Sequence, residues 1–323
     1  MIRIKLSTSS PAWPLRRQTP GWSGVWGNCQ FFIDEDVADC DAWVVCEDLP
    51  APQSTSCPPG RTLFIAGEPP SVKTYPPAFL AQFASLITCS PGLRGPGVLH
   101  AHLSLPWRVG ERAGQPFHKD YDELRGLPLP PKTRLLSVIT SNKTYTRGHR
   151  QRIEFVGRMQ RAFGADLDVF GRGFNEIEDK WDAIAPYQYH LALENCACPD
   201  YWSEKLSDAY LGGALPLYHG CPNLERYFPA SSFIPIPYQP DEAIRLIRRT
   251  LASGAYAQAL PHLASARQRV LDEYNLFPRL HAWANALSGR PAKELVSLKP
   301  ARACASLPRQ LFERVRRRLQ RYF

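Results

Sequence analysis

The stretch Tyr187–Pro237, YQYHLALENCACPDYWSEKLSDAYLGGALPLYHGCPNLERYFPASSFIPIP, constrains the fold of this chain more than any other. Its apolar run Tyr189–Leu193 has strand length and stops at the polar pair Glu194-Asn195. A loop with Pro199 and Asp200 follows, and a helical pattern begins near Ser203, where Leu206, Ala209, Tyr210 and Gly213 recur at three- and four-residue steps. Gly212-Gly213 closes that helix, and Ala214–Tyr218 reads as a second buried strand. A strand–loop–helix–strand unit implies a parallel pair joined by a right-handed crossover. Open sheets of that kind bind ligands beyond the carboxyl ends of their strands. Glu194, Asn195, Tyr201, Glu204 and Lys205 fall at that end.

The same alternation runs through the rest of the chain. Residues 2–7, 42–46, 62–66 and 85–89 read as short buried strands, with a helix at Pro77–Phe83. Leu127–Lys132 is a proline-rich linker that continues neither helix nor sheet, so it marks a boundary. Beyond it come a strand at Arg134–Thr140 and a polar loop at Ser141–Gly148. An amphipathic helix at Gln151–Phe163 turns Ile153, Phe155, Val156 and Met159 inward, and a strand follows at Asp166–Phe170. Helices from Asp241 finish near Leu287. The expected fold class is α/β, with two doubly wound, Rossmann-like domains facing a cleft. The domains are expected at 1–126 and 134–289, joined by the linker 127–133 and followed by a tail at 290–323.

Charge and composition exclude several classes of function. The net charge of +9 arises from 39 Lys and Arg against 30 Asp and Glu. From Arg290 onward there are 10 basic and 2 acidic residues, which leaves 29 against 28 in the first 289. The body is near neutral and the basicity belongs to the tail. There Leu307, Leu311, Phe312, Val315, Leu319 and Tyr322 form an apolar helical stripe among arginines, the pattern of a helix lying on an anionic membrane face or of one packed on the body with a solvated arginine face. No aromatic-interleaved basic stripe in the body points to nucleic acid. No run of about 18 apolar residues suggests a membrane span. The opening MIRIKLSTSSPAW reads as a first strand and not as a signal peptide, so the 9 cysteines are expected reduced. Neither Cys196-x-Cys198 nor Asp166-Leu167-Asp168 completes a metal-ligand set; the two aspartates read as strand-edge polarity.

The central stretch resembles the donor-binding motif of the family 10 glycosyltransferases, the α1,3/α1,4-fucosyltransferases. The residues that carry the resemblance are Leu193-Glu194-Asn195, Tyr201-Trp202-Ser203-Glu204-Lys205, Ala214-Leu215-Pro216-Leu217 and Ser232-Phe233-Ile234, in that order over about fifty residues. The loop Ser141-Asn142 and the turn Phe170-Gly171 are similar to further family positions. The resemblance covers about 134–285, and 60–95 more weakly.

The resemblance implies the twin-domain GT-B architecture and an inverting transfer from a nucleotide sugar, GDP-fucose, with no cofactor beyond the donor. Transfer needs a stabilised leaving diphosphate, and without a metal ion the cations must supply that. Lys205, in the first turn of its helix, and Arg152 are the candidates. The family carries an arginine in the helix after the first donor-domain strand; Arg150 and Arg152 both lie there, and spacing from Met159 favours Arg152. Glu204 is expected on sugar or ribose hydroxyls, Tyr201 on the purine ring, Asn195 at the strand end, and Glu194 ordering the loop. Glu68, in Gly67-Glu68-Pro69-Pro70, is the expected catalytic base, where the family more often has Glu-Ser-Pro; His100 and His102 are its rivals.

Lacking the membrane anchor of animal members, the chain resembles the bacterial branch, which decorates lipopolysaccharide or capsule glycans. The expected location is cytoplasmic, with the basic tail on the inner membrane face. Two readings compete: the same fold with another nucleotide sugar, and a non-catalytic carbohydrate-binding protein.

Overall fold

A computed structural model describes residues 1–305 except 12, 113, 115 and 144–146. The chain divides into two compact units. The first comprises Met1–Pro14, Gly24–Ala101 and the chain from Trp283; the second comprises Leu15–Ser23 and His102–Ala282.

In chain order the first unit forms β1 (Ile2–Thr8), β2 (Val25–Trp26), β3 (Cys29–Ile33), β4 (Ala42–Cys46), β5 (Gln53–Cys57), β6 (Thr62–Ile65), the short helix α1 (Pro77–Leu80), β7 (Ser85–Thr88) and β8 (Val98–His100). Its main sheet runs β2-β3-β1-β4-β6-β7-β8 and is parallel except for the β2–β3 pair. Val44 lies level with Leu6 on one side and Leu63 on the other. All of β6 and the first four residues of β4 are buried, as strands covered on both faces must be. The order of the strands reverses at β1, which has β3 on one side and β4 on the other.

The second unit contains α2 (Tyr121–Gly126), β9 (Arg134–Ile139), α3 (Arg147–Phe163), β10 (Leu167–Phe170), β11 (Tyr187–Leu193), α4 (Glu204–Leu211), β12 (Leu215–His219), β13 (Ile234–Pro235), α5 (Pro240–Ala252) and α6 (Ala255–Asp272). Its sheet is entirely parallel, in the order β10-β9-β11-β12-β13. Leu191 of β11 stands level with Val138 and Leu217, and all three are buried. Helix α3 turns Phe155, Val156 and Met159 inward. The strand order reverses between β9 and β11, so the crevice at their carboxyl ends is where this topology places a ligand.

Two expected boundaries shift. Residues 102–126 belong with the second unit, not the first. Polar side chains hold this irregular segment there. The buried Arg17 guanidinium donates to the carbonyls of Trp107, Val109 and His118 at 2.7, 2.9 and 3.1 Å. Asp208 accepts from the backbone N–H groups of Arg108 and Val109, and Tyr121 donates to Asp272 at 2.7 Å. Such side-chain contacts leave no periodic trace in a sequence. The segment from Arg290 is likewise not a free tail at its start: β14 (Glu294–Leu298) pairs antiparallel with β5, and Lys293 reaches Asp39 and Asp41 at 2.6 and 3.0 Å. The apolar stripe from Leu307 lies outside the described residues.

Candidate functional site

The motif region folds as its residue types dictate. Ser203 caps α4, accepting from the Lys205 N–H, and its own hydroxyl donates to Glu194. Glu194 ends β11, is 2% exposed, and accepts from the Ser203 N–H at 2.7 Å as well. Burial raises the pKa of its carboxyl, opposed by Lys205, whose ammonium lies 3.7 Å away. One buried carboxylate thus fixes the angle at which α4 leaves the sheet.

Lys205 Nζ also contacts Ser203 Oγ at 3.1 Å and Glu204 Oε1 at 3.0 Å. Burial pulls its pKa down, but Glu204 and Glu194 together overcome this and push it up, so the side chain is a permanent cation. Glu204 is the mirror case: burial raises it, yet Lys205 and Lys180 hold it well below the usual carboxylate range. Lys180, on the turn Lys180–Ala183, bridges Asp208 at 3.1 Å and Glu204 at 3.8 Å.

These groups border a cleft of about 290 Å³ at the carboxyl ends of β9 and β11. Ile139, Thr140 and Ser141 form one wall, and Lys143, Arg152, Lys180 and Lys205 bring positive charge to it. Arg152 is 7% exposed, donates to the Asn195 side-chain carbonyl, and keeps a buried Nε that has no hydrogen-bond partner among the described residues. Burial lowers its pKa, against the pull of Tyr238, Glu194 and Glu204, but an arginine stays charged. Thr140 Oγ1 is buried and likewise has no partner among the described residues. Two orphaned polar atoms among the lining residues of a cationic cleft are the features expected of a site for a polar anion. The turn beside it admits no other residue at Gly171, whose φ is +113° and where a Cβ would lie 1.9 Å from the Thr140 carbonyl oxygen.

Of the residues expected at the site, Arg152, Glu204 and Lys205 line the cleft, Asn195 holds Arg152, and Glu194 supports the loop from beneath. Tyr201 does not reach it: the chain turns at Asp200, with φ +62°, and buries the Tyr201 ring to 2% exposure in the core. Arg150 is exposed and does not line the cleft. Glu68 lies on the first unit, two residues past the Ile65–Ala66 step, and lines a separate cavity of about 120 Å³. Of the rival bases, His102 is buried against Trp202, with ring centroids 4.9 Å apart, and burial drives its pKa well below the ordinary value.

Sequence reasoning missed Lys143, Lys180, His190 and Asp208, all of which line the cleft. The one available signal was Glu204 and Asp208 on the same helix face, one turn apart, which called for a cation. The Asp-x-Asp pair is not a shared carboxylate face: Asp166 ends a helical turn, and Asp168 is committed to Arg134 at 2.9 Å and the Tyr187 hydroxyl at 2.7 Å.

Residues 129–243 match the family described as glycosyltransferase family 10 (fucosyltransferase) C-term. A Danio rerio GDP-fucose protein O-fucosyltransferase 3 is 28% identical over 141 residues, 42% of this chain and 31% of that protein. The Homo sapiens 4-galactosyl-N-acetylglucosaminide 3-alpha-L-fucosyltransferase 9 is 30% identical over 111 residues, 33% of this chain and 30% of that protein. The chain thus matches these curated relatives over less than a third of their length. A crystal structure of an alpha1,3-fucosyltransferase superposes with a TM-score of 0.50 at 15% identity, covering 85% of this chain and 91% of that one, which supports a shared fold. Residues 129–243, which carry the cationic cleft at the end of β11, thus match the donor-side domain of glycosyltransferase family 10.

Proposed function

We propose that this protein transfers fucose from GDP-fucose to a hydroxyl of a glycan, with inversion at the anomeric carbon. The observation that carries the reading is the cleft at the β9–β11 crevice, where Arg152, Lys180 and Lys205 converge on a site of nucleotide-binding topology. The donor names borne by the matched relatives supply the sugar and the base.

In this reading the diphosphate of the donor lies against Lys205 and Arg152, near the positive end of α4. Charge grows on the leaving phosphate as the glycosidic bond breaks, so these contacts strengthen toward the transition state and accelerate the step. Each charged hydrogen bond contributes about 1.5–3 kcal/mol. Glu204, kept ionised by its two lysines, accepts from sugar or ribose hydroxyls. Glu68 takes the proton of the acceptor hydroxyl as its oxygen attacks the anomeric carbon, and the bonding electrons leave with GDP. The division of labour is that of GT-B enzymes, with the acceptor on the first unit and the donor on the second. No cofactor beyond the donor enters this reading.

An acceptor of lipopolysaccharide or capsule type, and contact of the basic segment from Leu307 with the inner membrane face, complete the proposal. A thermal-shift panel of GDP-, UDP-, TDP- and CMP-sugars tests the donor. Stabilisation by GDP-fucose above the rest is expected, and a preference for a pyrimidine nucleotide overturns the assignment.

A further inference from the structure

Cys40 and Cys57 of the first unit are brought together by the backbone. Asp39 forms a parallel bridge to Ser56. The Ser56 N–H donates to the Ala38 carbonyl at 3.0 Å, and the Cys40 N–H donates to the Ser56 carbonyl at 2.9 Å. That register sets the next pair, Cys40 and Cys57, level with each other and with their side chains on one face. Neighbouring strands lie about 4.8 Å apart, inside the Cα separation of about 4.4–6.8 Å that a disulfide spans. Both residues are fully buried, and both are free thiols.

Their chemistry differs from that of other buried cysteines in the chain. Burial pushes the thiols of Cys29 and Cys221 up to about 11 in each case. Cys40 moves the other way: contact with the Cys57 thiol lowers its pKa against the effect of burial, and the Lys5 N–H adds to the lowering. Cys57 is raised, first by the same contact and then by burial. One sulfur is thus the readier thiolate and the other holds its proton, the division between an attacking and a resolving thiol.

One edge strand borders the pair. Glu294 of β14 lies opposite Cys57, and Lys293 holds Asp39 and Asp41, the neighbours of Cys40 in the chain, at 2.6 and 3.0 Å. A reagent reaches the sulfurs when β14 parts from β5, a local opening at the margin of the unit that does not require global unfolding.

We propose that Cys40 and Cys57 are a reversible modification site, a dithiol that closes to a disulfide by exchange with a low-molecular-weight disulfide such as oxidised glutathione. The Cys40 thiolate attacks one sulfur of the oxidant, the S–S bond breaks, and one small thiol leaves. The Cys57 thiol then gives up its proton and attacks Cys40 Sγ, which releases the second small thiol. Two protein thiols are oxidised, and one small disulfide is reduced to two thiols. The new bond staples the segment before β4 to β5, closing a loop that contains β4, so the oxidised first unit is the more stable form.

The test is incubation of the full chain in glutathione redox buffers with sub-denaturing urea, followed by acid quench, alkylation under denaturing conditions and peptide mass mapping. The expected product is a linked pair of peptides carrying Cys40 and Cys57, two hydrogens lighter than the reduced pair and separated again by dithiothreitol, with Cys29 and Cys221 still alkylated. The oxidised chain is expected to melt at a higher temperature than the reduced chain, and the gap to vanish in Cys57→Ala. Cys40→Ala serves if Cys57→Ala does not fold. The inference is overturned if both cysteines stay open to alkylation in the most oxidising buffer, or if they end bound to glutathione or to another cysteine instead of to each other. It is overturned as well by an oxidised chain that melts no higher than the reduced one, or by a gap that persists in the alanine variant.

Discussion

Glu194 grips Ser203 with both carboxylate oxygens, accepting its N–H at 2.7 Å and its hydroxyl at 2.9 and 2.8 Å, so the end of β11 and the start of α4 are one rigid piece. Glu194→Ala strands the Ser203 N–H and removes a partner of Lys205. Urea unfolding should show a loss of roughly 1.5–3 kcal/mol, as for other buried charged hydrogen bonds. A loss of only a few tenths would mean that Glu194 does not order this loop.

Glu68→Gln keeps the shape of the side chain and removes its basicity. Turnover should fall by about 10²–10⁴-fold, the range for a general base. The dissociation constant for GDP should stay as it was, because Glu68 belongs to the first unit and the donor cleft to the second. A variant that still turns over normally returns the base assignment to His100 or another group.

Lys180 bridges Glu204 and Asp208 and lines the cleft, and in the proposed function it adds a third cation beside the diphosphate. In Lys180→Met, titration with GDP should give an affinity about tenfold lower. The dependence of affinity on salt should also flatten relative to the unsubstituted protein, because one of the cations that binds the anion is gone. An unaltered salt slope would make Lys180 a structural partner of Asp208 alone.

His190 lines the cleft, bonds Ser137 at 2.8 Å, and has its pKa pushed down to about 3, first by burial and then by Lys180 and Lys132. Its folded pKa lies below the unfolded value near 6.5, so the unfolded chain binds the extra proton first. The contribution to stability is therefore complete above about pH 6.5 and is lost as pH falls toward 3. Melting temperatures from pH 7 to 4 should drop more steeply for the unsubstituted protein than for His190→Gln. Parallel curves would show that His190 protonates freely in the fold.

Much of this was legible in the chain itself. The strand Tyr187–Leu193, the cap at Ser203 and the double glycine after α4 follow from periodicity and local chemistry, and they place Glu204 and Lys205 at the crevice. Arg152 was within reach because the apolar face of α3 fixes its phase around the helix. Tyr201 is buried in the core just after the positive-φ turn at Asp200, and an aromatic residue in a loop does not by itself tell a core ring from one that faces a cleft. Lys180 and the segment 102–126 are held by contacts between residues far apart in sequence, to Asp208 and to Arg17, which no local pattern encodes. β14 escaped notice because its pairing with β5 is a long-range event, and β5 is a mostly polar strand in a Pro- and Ser-rich stretch.

The claim that cations of the second unit hold the leaving diphosphate is tested most directly by titrating GDP and guanosine into the unsubstituted protein, Lys205→Met and Arg152→Met. The account predicts that the unsubstituted protein binds GDP far more tightly than guanosine. In each variant that gap should narrow by about tenfold or more, with guanosine affinity unchanged. A gap of the same size in both variants would contradict it.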